Sequence, residues 1–161
     1  MKVAILSDTH GRQVTVGLAL GQIRDRGITT VLHCGDIDDP ETVALFRGLD
    51  AHFVFGNCDH DKEELRRAIE GAGATLHGHW GNLELGGLEI AFLHGDDPCL
   101  FREVEQSGHF DYLFYGHTHQ AGEHRTGPTR VINPGALHRA RPKTFVVLDL
   151  ESGQVESVTL G

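Results

Sequence analysis

The chain is short of basic residues. Of its 161 residues, 14 are Lys or Arg and 23 are Asp or Glu, a formal net charge of −9 with histidines neutral. A general nucleic-acid binder needs a basic surface to displace counterions, so no nucleic-acid partner is expected. A phosphate-bearing substrate is not excluded, because bound divalent cations can reverse the field inside a cleft. Cysteine is scarce: Cys34, Cys58 and Cys99 are odd in number, scattered, and form no C-x-x-C pair. That is not a disulfide framework, and a cytoplasmic location is expected. Long apolar runs are absent. No segment approaches the roughly 18 residues of a membrane-spanning helix. The run Val3 to Leu6 is shorter than the apolar part of a secretory signal, so no membrane role is expected. There is no linker, repeat or low-complexity stretch, and residues 1–161 are expected to form one domain.

What is present is twelve histidines, 21 glycines and an alternation of short apolar runs with helical stretches. The alternation predicts an α/β fold. Lys2 to Ser7 reads as a strand covered on both faces. A helix is predicted from Gln13 to Arg26, stopped by Gly27. The strand Thr30 to Cys34 follows. Asp39-Pro40 then starts a helix to about Leu49, with Asp as cap and Pro in the first turn. His52 to Phe55 is the third strand. Asp61 and Glu64 form a capping-box pattern for a helix to about Glu70. Asn82–Leu85 and Leu88–Leu93 flank Gly86-Gly87 as a hairpin. Pro98 to Ser107 is helical, Asp111 to Tyr115 a strand, and the tail from Ala121 is β-rich. Two mixed sheets packed face to face with helices outside, a four-layer α-β-β-α sandwich, would accommodate this order.

The residues after the strands carry the chemistry. They are Asp8-Thr9-His10, Gly35-Asp36, Gly56-Asn57-Cys58-Asp59, His94-Gly95-Asp96 and Gly116-His117-Thr118-His119. Open α/β sheets bind ligands beyond the carboxyl ends of their strands. Five candidate strands therefore deliver Asp, Asn or His to one edge. These types suit divalent metals: imidazole suits Zn, Fe and Ni, while carboxylates and amide oxygens suit Mn and Mg. Residues two apart on extended chain point the same way, so Asp8 with His10 and His117 with His119 can each face one cavity. Singly, each motif is an ordinary turn sequence. The ordered set of five is what carries the metal reading.

That set resembles the calcineurin-like metallophosphoesterases, whose pattern is Asp-x-His, Gly-Asp, Gly-Asn-His-Asp/Glu, His and Gly-His-x-His in that order. The resemblance spans Asp8 to His119, and the β tail also fits. The short length and Gly-Asn-Cys-Asp in the third motif are most similar to the small bacterial and archaeal phosphodiesterase subgroup. The resemblance implies two divalent metal ions. Mn is the expected metal, with Fe, Zn and Ni also seen in the family. It implies that Asp8, His10 and His119 hold one ion, that Asn57, His94 and His117 hold the other, and that Asp36 bridges them. Asp36, Asn57 and His94 are then central to catalysis. The implied reaction is hydrolysis of a small phosphodiester by a metal-activated hydroxide. Where the family's third motif carries a histidine, this chain has Cys58. A thiol, with an ordinary pKa near 8.5, is a poor substitute for imidazole. His60 is the alternative replacement, against a reading as a solvated turn residue. Asp59 is expected to orient the loop, and Arg12 either reaches a phosphate or begins a helix in solvent.

His33 is expected to be packed within its strand, and His52, His77, His79, His109, His124 and His138 to lie at the surface. Two rival functions remain. One is a protein-binding scaffold like the small retromer subunit, which resembles these enzymes but departs from the ligand set. The other is a phosphomonoesterase, which the missing third-motif histidine disfavours. A homo-oligomer is possible on family resemblance alone.

Overall fold

A computed structural model describes residues 1–161. Its elements in chain order are β1 (Lys2–Leu6), α1 (Gln13–Asp25), β2 (Thr30–His33), α2 (Pro40–Ala44), β3 (Asp50–Phe53), α3 (Lys62–Gly71), β4 (Thr75–Leu76), β5 (Trp80–Leu85), β6 (Leu88–Leu93), α4 (Pro98–Gln106), β7 (Tyr112–Phe114), β8 (Gly122–Thr126), β9 (Thr129–Asn133), β10 (Lys143–Asp149) and β11 (Val155–Leu160). One sheet has the order β11-β10-β1-β2-β3-β4, the other β5-β6-β7-β9-β8. In the first, β1 through β4 are parallel and β10 and β11 antiparallel. In the second, β6, β7 and β9 are parallel, with β5 and β8 antiparallel at the edges. Both sheets are mixed, as predicted.

The two-residue period of the strands sorts side chains into three apolar layers. On β1, Val3 and Ile5 face one cluster while Ala4 and Leu6 face another. Val3, Ile5, Leu32 and Val54 meet Ile90, Phe92, Phe114 and Ile132 between the sheets. Ala4, Leu6, Val31, Phe53 and Phe145 pack under Val16, Leu20 and Ile23 of α1 and Leu65 and Ile69 of α3. Ala91, Leu93, Leu113 and Val131 pack with Val104 of α4 on the far side. The result is the predicted α-β-β-α sandwich. No helix is long and apolar enough to cross a membrane.

Local differences from the sequence reading have local causes. The second helix ends at Ala44 rather than near Leu49. Phe46 N–H donates to Val43 O, Leu49 N–H donates to Phe46 O, and Gly48 has φ 82°, so tight turns carry the chain and still bury Phe46 and Leu49. Asp39 does cap α2, accepting from Thr42 N at 2.7 Å, and Asp61 caps α3 through Glu64 N at 3.0 Å. β4 is two residues long and carries no periodic signal; it forms because Thr75 and Leu76 pair with His52 and Phe53.

Phe92 is fully buried between the sheets. Phe92→Ala is expected to lower unfolding stability by about 3–5 kcal/mol, read from urea titration. A loss well under 1 kcal/mol would mean that Phe92 is not tightly packed between the sheets.

Candidate active site

The five motifs lie beyond the ends of β1, β2, β3, β6 and β7. The first three come from one sheet and the last two from the other, so the site straddles the mouth of the sandwich. Backbone hydrogen bonds lace the loops together. Asp8 N–H donates to Gly35 O, Thr9 and His10 N–H both donate to Asp36 O, and Gly116 N–H donates to His94 O. Close approach requires glycine at two points. A side chain at Gly56 would strike Asp36, whose backbone N would lie 2.5 Å from the new Cβ. One at Gly116 would strike Ser7 and stand 2.6 Å from Asp8 Oδ2.

Several donor groups are anchored through one atom and present the other to the cleft. Asp8 Oδ2 accepts from Ser7 Oγ at 2.7 Å and His117 N at 3.1 Å, while its Oδ1 is buried without a hydrogen-bond partner. Asp36 Oδ1 accepts from Cys58 N at 2.9 Å, and Oδ2 lies 3.4 Å from His10 Nε2 and 3.2 Å from His94 Nε2. His10 Nδ1 pairs with Asp38 Oδ2 at 3.1 Å, leaving Nε2 buried and unpartnered. His94 Nδ1–H donates to Cys34 O at 2.8 Å, turning Nε2 towards Asn57 Oδ1 at 2.9 Å. His119 Nε2 lies 3.2 Å from Asp8 Oδ1. His117 lines the cleft with its ring 5.1 Å from that of His94.

Three sets of donor atoms lie mutually within 4.8 Å: Asp8, His10 and His119; Asp8, Asp36 and His94; and His10, Asp36 and Cys58. Imidazoles fixed through one nitrogen by a carboxylate or carbonyl, with the other nitrogen free, are the usual arrangement of metal-binding histidines. Two buried, orphaned donors 3.7 Å apart, Asp8 Oδ1 and His10 Nε2, would each gain a partner from a cation between them. The residues present therefore fit divalent metal ions.

Backbone geometry marks the same place. Seven non-glycine residues have left-handed φ: Asp8, His10, Asp36, Asp38, His117, His119 and Arg139. Six of them line the cleft, and Asp8 sits directly behind it. Left-handed φ costs an ordinary residue about 1–2 kcal/mol, and such strain gathers where side chains must be aimed.

Asp59 is buried, and its carboxylate accepts from the backbone N–H of Asp36, Ile37, Asp38 and Gly56 at 2.8–3.0 Å. It joins the second and third loops from behind. Cys58 lines the cleft; burial first, then the charge of Asp36, pushes its thiol pKa up to about 11. His60 is exposed and outside the cleft lining. Arg12 is at the N-terminus of α1 and lines the cleft. His33 is packed, stacked on Phe53 and bonded to Thr9 Oγ1 at 3.0 Å, and burial drives its pKa down to about 3.

Two surface assignments are corrected. His138 lines the cleft, its ring 5.0 Å from that of His10, because the turn after β9 folds back over the first loop. His52 is buried and bonds to His77 at 3.0 Å across the β3–β4 pair. The sequence reading also missed Asp38, Arg139 and Asn133. Asp38 follows Asp36 at the same two-residue spacing that singled out Asp8 and His10, and that signal would have found it. Asn133 Nδ2 donates to Gly116 O at 3.1 Å and Thr118 Oγ1 at 3.0 Å, pinning the fifth loop.

A cleft built this way, at the strand ends of a two-sheet sandwich, gathers donor groups that could hold divalent metal ions. A profile of the calcineurin-like phosphoesterase superfamily domain matches residues 1–153, and the chain belongs to that superfamily. It is 27% identical to the phosphodiesterase MJ0936 of Methanocaldococcus jannaschii over 99% of both chains. It is 26% identical to the probable metallophosphoesterase YsnB of Bacillus subtilis, over 94% of this chain and 86% of that one. A solved archaeal phosphodiesterase superimposes with a TM-score of 0.91 at 26% identity, covering 99% of this chain and 100% of that one. Vps29 of Entamoeba histolytica, solved with Zn²⁺, shares the fold with a TM-score of 0.70 at 21% identity, covering 99% and 98% of the two chains.

Two predictions follow from the anchoring groups. Asp59→Ala leaves four backbone N–H groups without their acceptor. It is expected to cost about 3 kcal/mol or more in urea unfolding and to speed amide exchange at Asp36 to Asp38; unchanged exchange there would remove Asp59 from its structural role. Burial works to lower the His94 pKa, but the hydrogen bond to Asp36 and the charges of Asp8 and Asp36 raise it from 6.5 to about 9. The protonated ring stabilises the metal-free fold fully below pH 6.5, and that contribution is lost as pH rises through 9. Chelator-treated protein should therefore lose stability between those values, and a flat or rising urea midpoint would contradict a charged His94.

Proposed function

We propose that the cleft binds two divalent metal ions and hydrolyses small phosphodiesters. The observation that carries the reading is the pairing of anchored and free donor atoms, with Asp8 Oδ1 and His10 Nε2 buried and unpartnered at its centre. Asp8, His10 and His119 are assigned to one ion and Asn57, His94 and His117 to the other, with Asp36 between. Asp36 fits that bridging place because its Oδ2 is within 3.4 Å of both His10 Nε2 and His94 Nε2. Mn is the metal proposed, because carboxylate and amide oxygens join imidazoles in the donor set; Fe, Zn and Ni suit the imidazoles. When bound, a metal pair lowers the pKa of water towards 7 and neutralises phosphoryl charge.

The protein's own groups prepare the site. Cys34 O and Asp38 hold His94 and His10 with Nε2 towards the cleft. Ser7 and the His117 N–H hold Asp8, and the Cys58 N–H holds Asp36. In the metal-free protein, burial and the charge of Asp36 raise the Cys58 pKa to about 11. A thiol is a weaker acid than an imidazolium and a poorer proton donor to a departing alkoxide, which favours esters with stable leaving groups. The diester preference is supported by the archaeal relative named a phosphodiesterase. Three unpaired cysteines fit a reducing cytoplasm. The Vps29 likeness supports a common fold and leaves the scaffold reading secondary, since this cleft keeps every proposed ligand.

The test is hydrolysis of bis-p-nitrophenyl phosphate beside p-nitrophenyl phosphate with Mn²⁺, with a chelated control. Turnover favouring the diester is expected, and Asp36→Asn should reduce it by at least about a thousandfold while far-UV circular dichroism stays native. Full activity in that variant would sink the ligand assignment.

A further inference from the structure

We propose that Arg12, His138 and Arg139 form one wall of the cleft that binds a second phosphate of the substrate, so that the preferred esters join the scissile phosphorus through oxygen to another phosphate. This rests on the two-metal phosphodiesterase reading. The wall is a constructed one. Arg12 Nε donates to His138 Nδ1 at 3.1 Å, which leaves the His138 Nε2–H as a free donor. The His138 ring stands 5.0 Å from the ring of His10, so the wall begins one side chain away from a proposed ligand. Arg139, in left-handed conformation, continues it along the same cleft.

The charges on this wall have no internal partner. In a chain with a net charge of −9, neither Arg12 nor Arg139 has a carboxylate within 4.0 Å. The nearby acids are committed elsewhere: Asp36 and Asp8 face the imidazoles of His10, His94 and His119, and Asp38 is bonded to His10 Nδ1. Two guanidinium groups and an N–H donor are thus left for an anion from outside. Guanidinium groups pair with phosphate through two parallel N–H bonds. The cleft, about 460 Å³, has room for more than the single phosphoryl group held between two ions.

In such a substrate the water oxygen bonds to one phosphorus. The bridging P–O bond breaks with its electron pair passing to the second phosphate, and the proton of the water is released to solvent. A phosphate leaves as a stable anion, its second pKa being about 6, so the step demands no proton from the third loop. The wall would hold that group before cleavage and offset its growing charge during it.

The experiment compares kcat/KM for diadenosine 5′,5′-diphosphate, hydrolysed to two AMP, with that for bis-p-nitrophenyl phosphate. Wild type and Arg12→Ala/Arg139→Ala are both loaded with Mn²⁺. Calorimetry also gives the Kd of the methylene-bridged analogue of the diphosphate. The ratio of the two kcat/KM values is expected to fall by about tenfold or more in the variant, and the analogue's Kd to weaken by a similar factor. Lysine at both positions should restore part of each. An unchanged ratio with both substrates equally slowed would overturn the proposal, because the wall would then act on the scissile phosphoryl group itself. An unchanged Kd would overturn it as well. If wild type fails to hydrolyse bis-p-nitrophenyl phosphate, the metal-hydrolase reading falls, while the calorimetric comparison still decides whether the wall binds a second phosphate.

Discussion

The Asp59 carboxylate, with four backbone N–H groups converging on it, is the interaction from which the rest of the site follows. It gathers Asp36, Ile37, Asp38 and Gly56 around one buried charge. That grip keeps Asp36 and Asp38 in left-handed backbone geometry, which neither would hold alone. Asp36 in turn fixes the Cys58 N–H, and Asp38 fixes His10. A single side chain from the third loop thereby orients donors on the first, second and third. Burial raises the Asp59 pKa and its backbone donors draw it down, an opposition that is tolerable only because the donors are so many.

The same division of labour recurs in Asp8, Asp36, His10 and His94. One atom is tied to the surrounding protein and the other faces the cleft. Asp8 is held by Ser7 and a backbone N–H, His94 by a carbonyl, and His10 by a carboxylate. The free atoms alone are mutually repulsive, since the carboxylates of Asp8 and Asp36 share one pocket. In the metal-free protein the charge on His94 relieves that repulsion, and its cause is local: burial is the largest single influence and opposes the charge, but the hydrogen bond to Asp36 and the charges of Asp8 and Asp36 together outweigh it. On the two-metal reading, cations held in this pocket would reconcile the acidic net charge of the chain with an anionic substrate.

Much of this was readable in the sequence, for physical reasons. Apolar runs covered on both faces cannot be mistaken for surface strands, and the polar residues that interrupt them stand out. Asp8, Asp36, Asn57, His94, His117 and His119 follow such runs directly, and the structure brings all of them to one cleft or its floor. The hidden features depend on contacts between distant segments. The pairing of Arg12 with His138 spans 126 residues, and nothing local to either announces it. β4 exists only as the partner of β3. The early end of α2 is set by tight turns that keep Phe46 and Leu49 buried, so their apolar spacing reads as helix when the backbone is not.

The cleft takes its first three loops from one sheet and its last two from the other. The layer holding Val54, Phe92, Phe114 and Ile132 therefore works as a gauge block. Its thickness, about 10 Å in stacked sheets, sets how far Asp36 stands from His94 across the seam. Close-packed interiors hardly compress, so the separation of the donors is written into side-chain volumes that never meet the substrate. In a lineage of such proteins, a change of methylene count deep in this layer would retune the chemistry at the mouth as surely as a change of ligand.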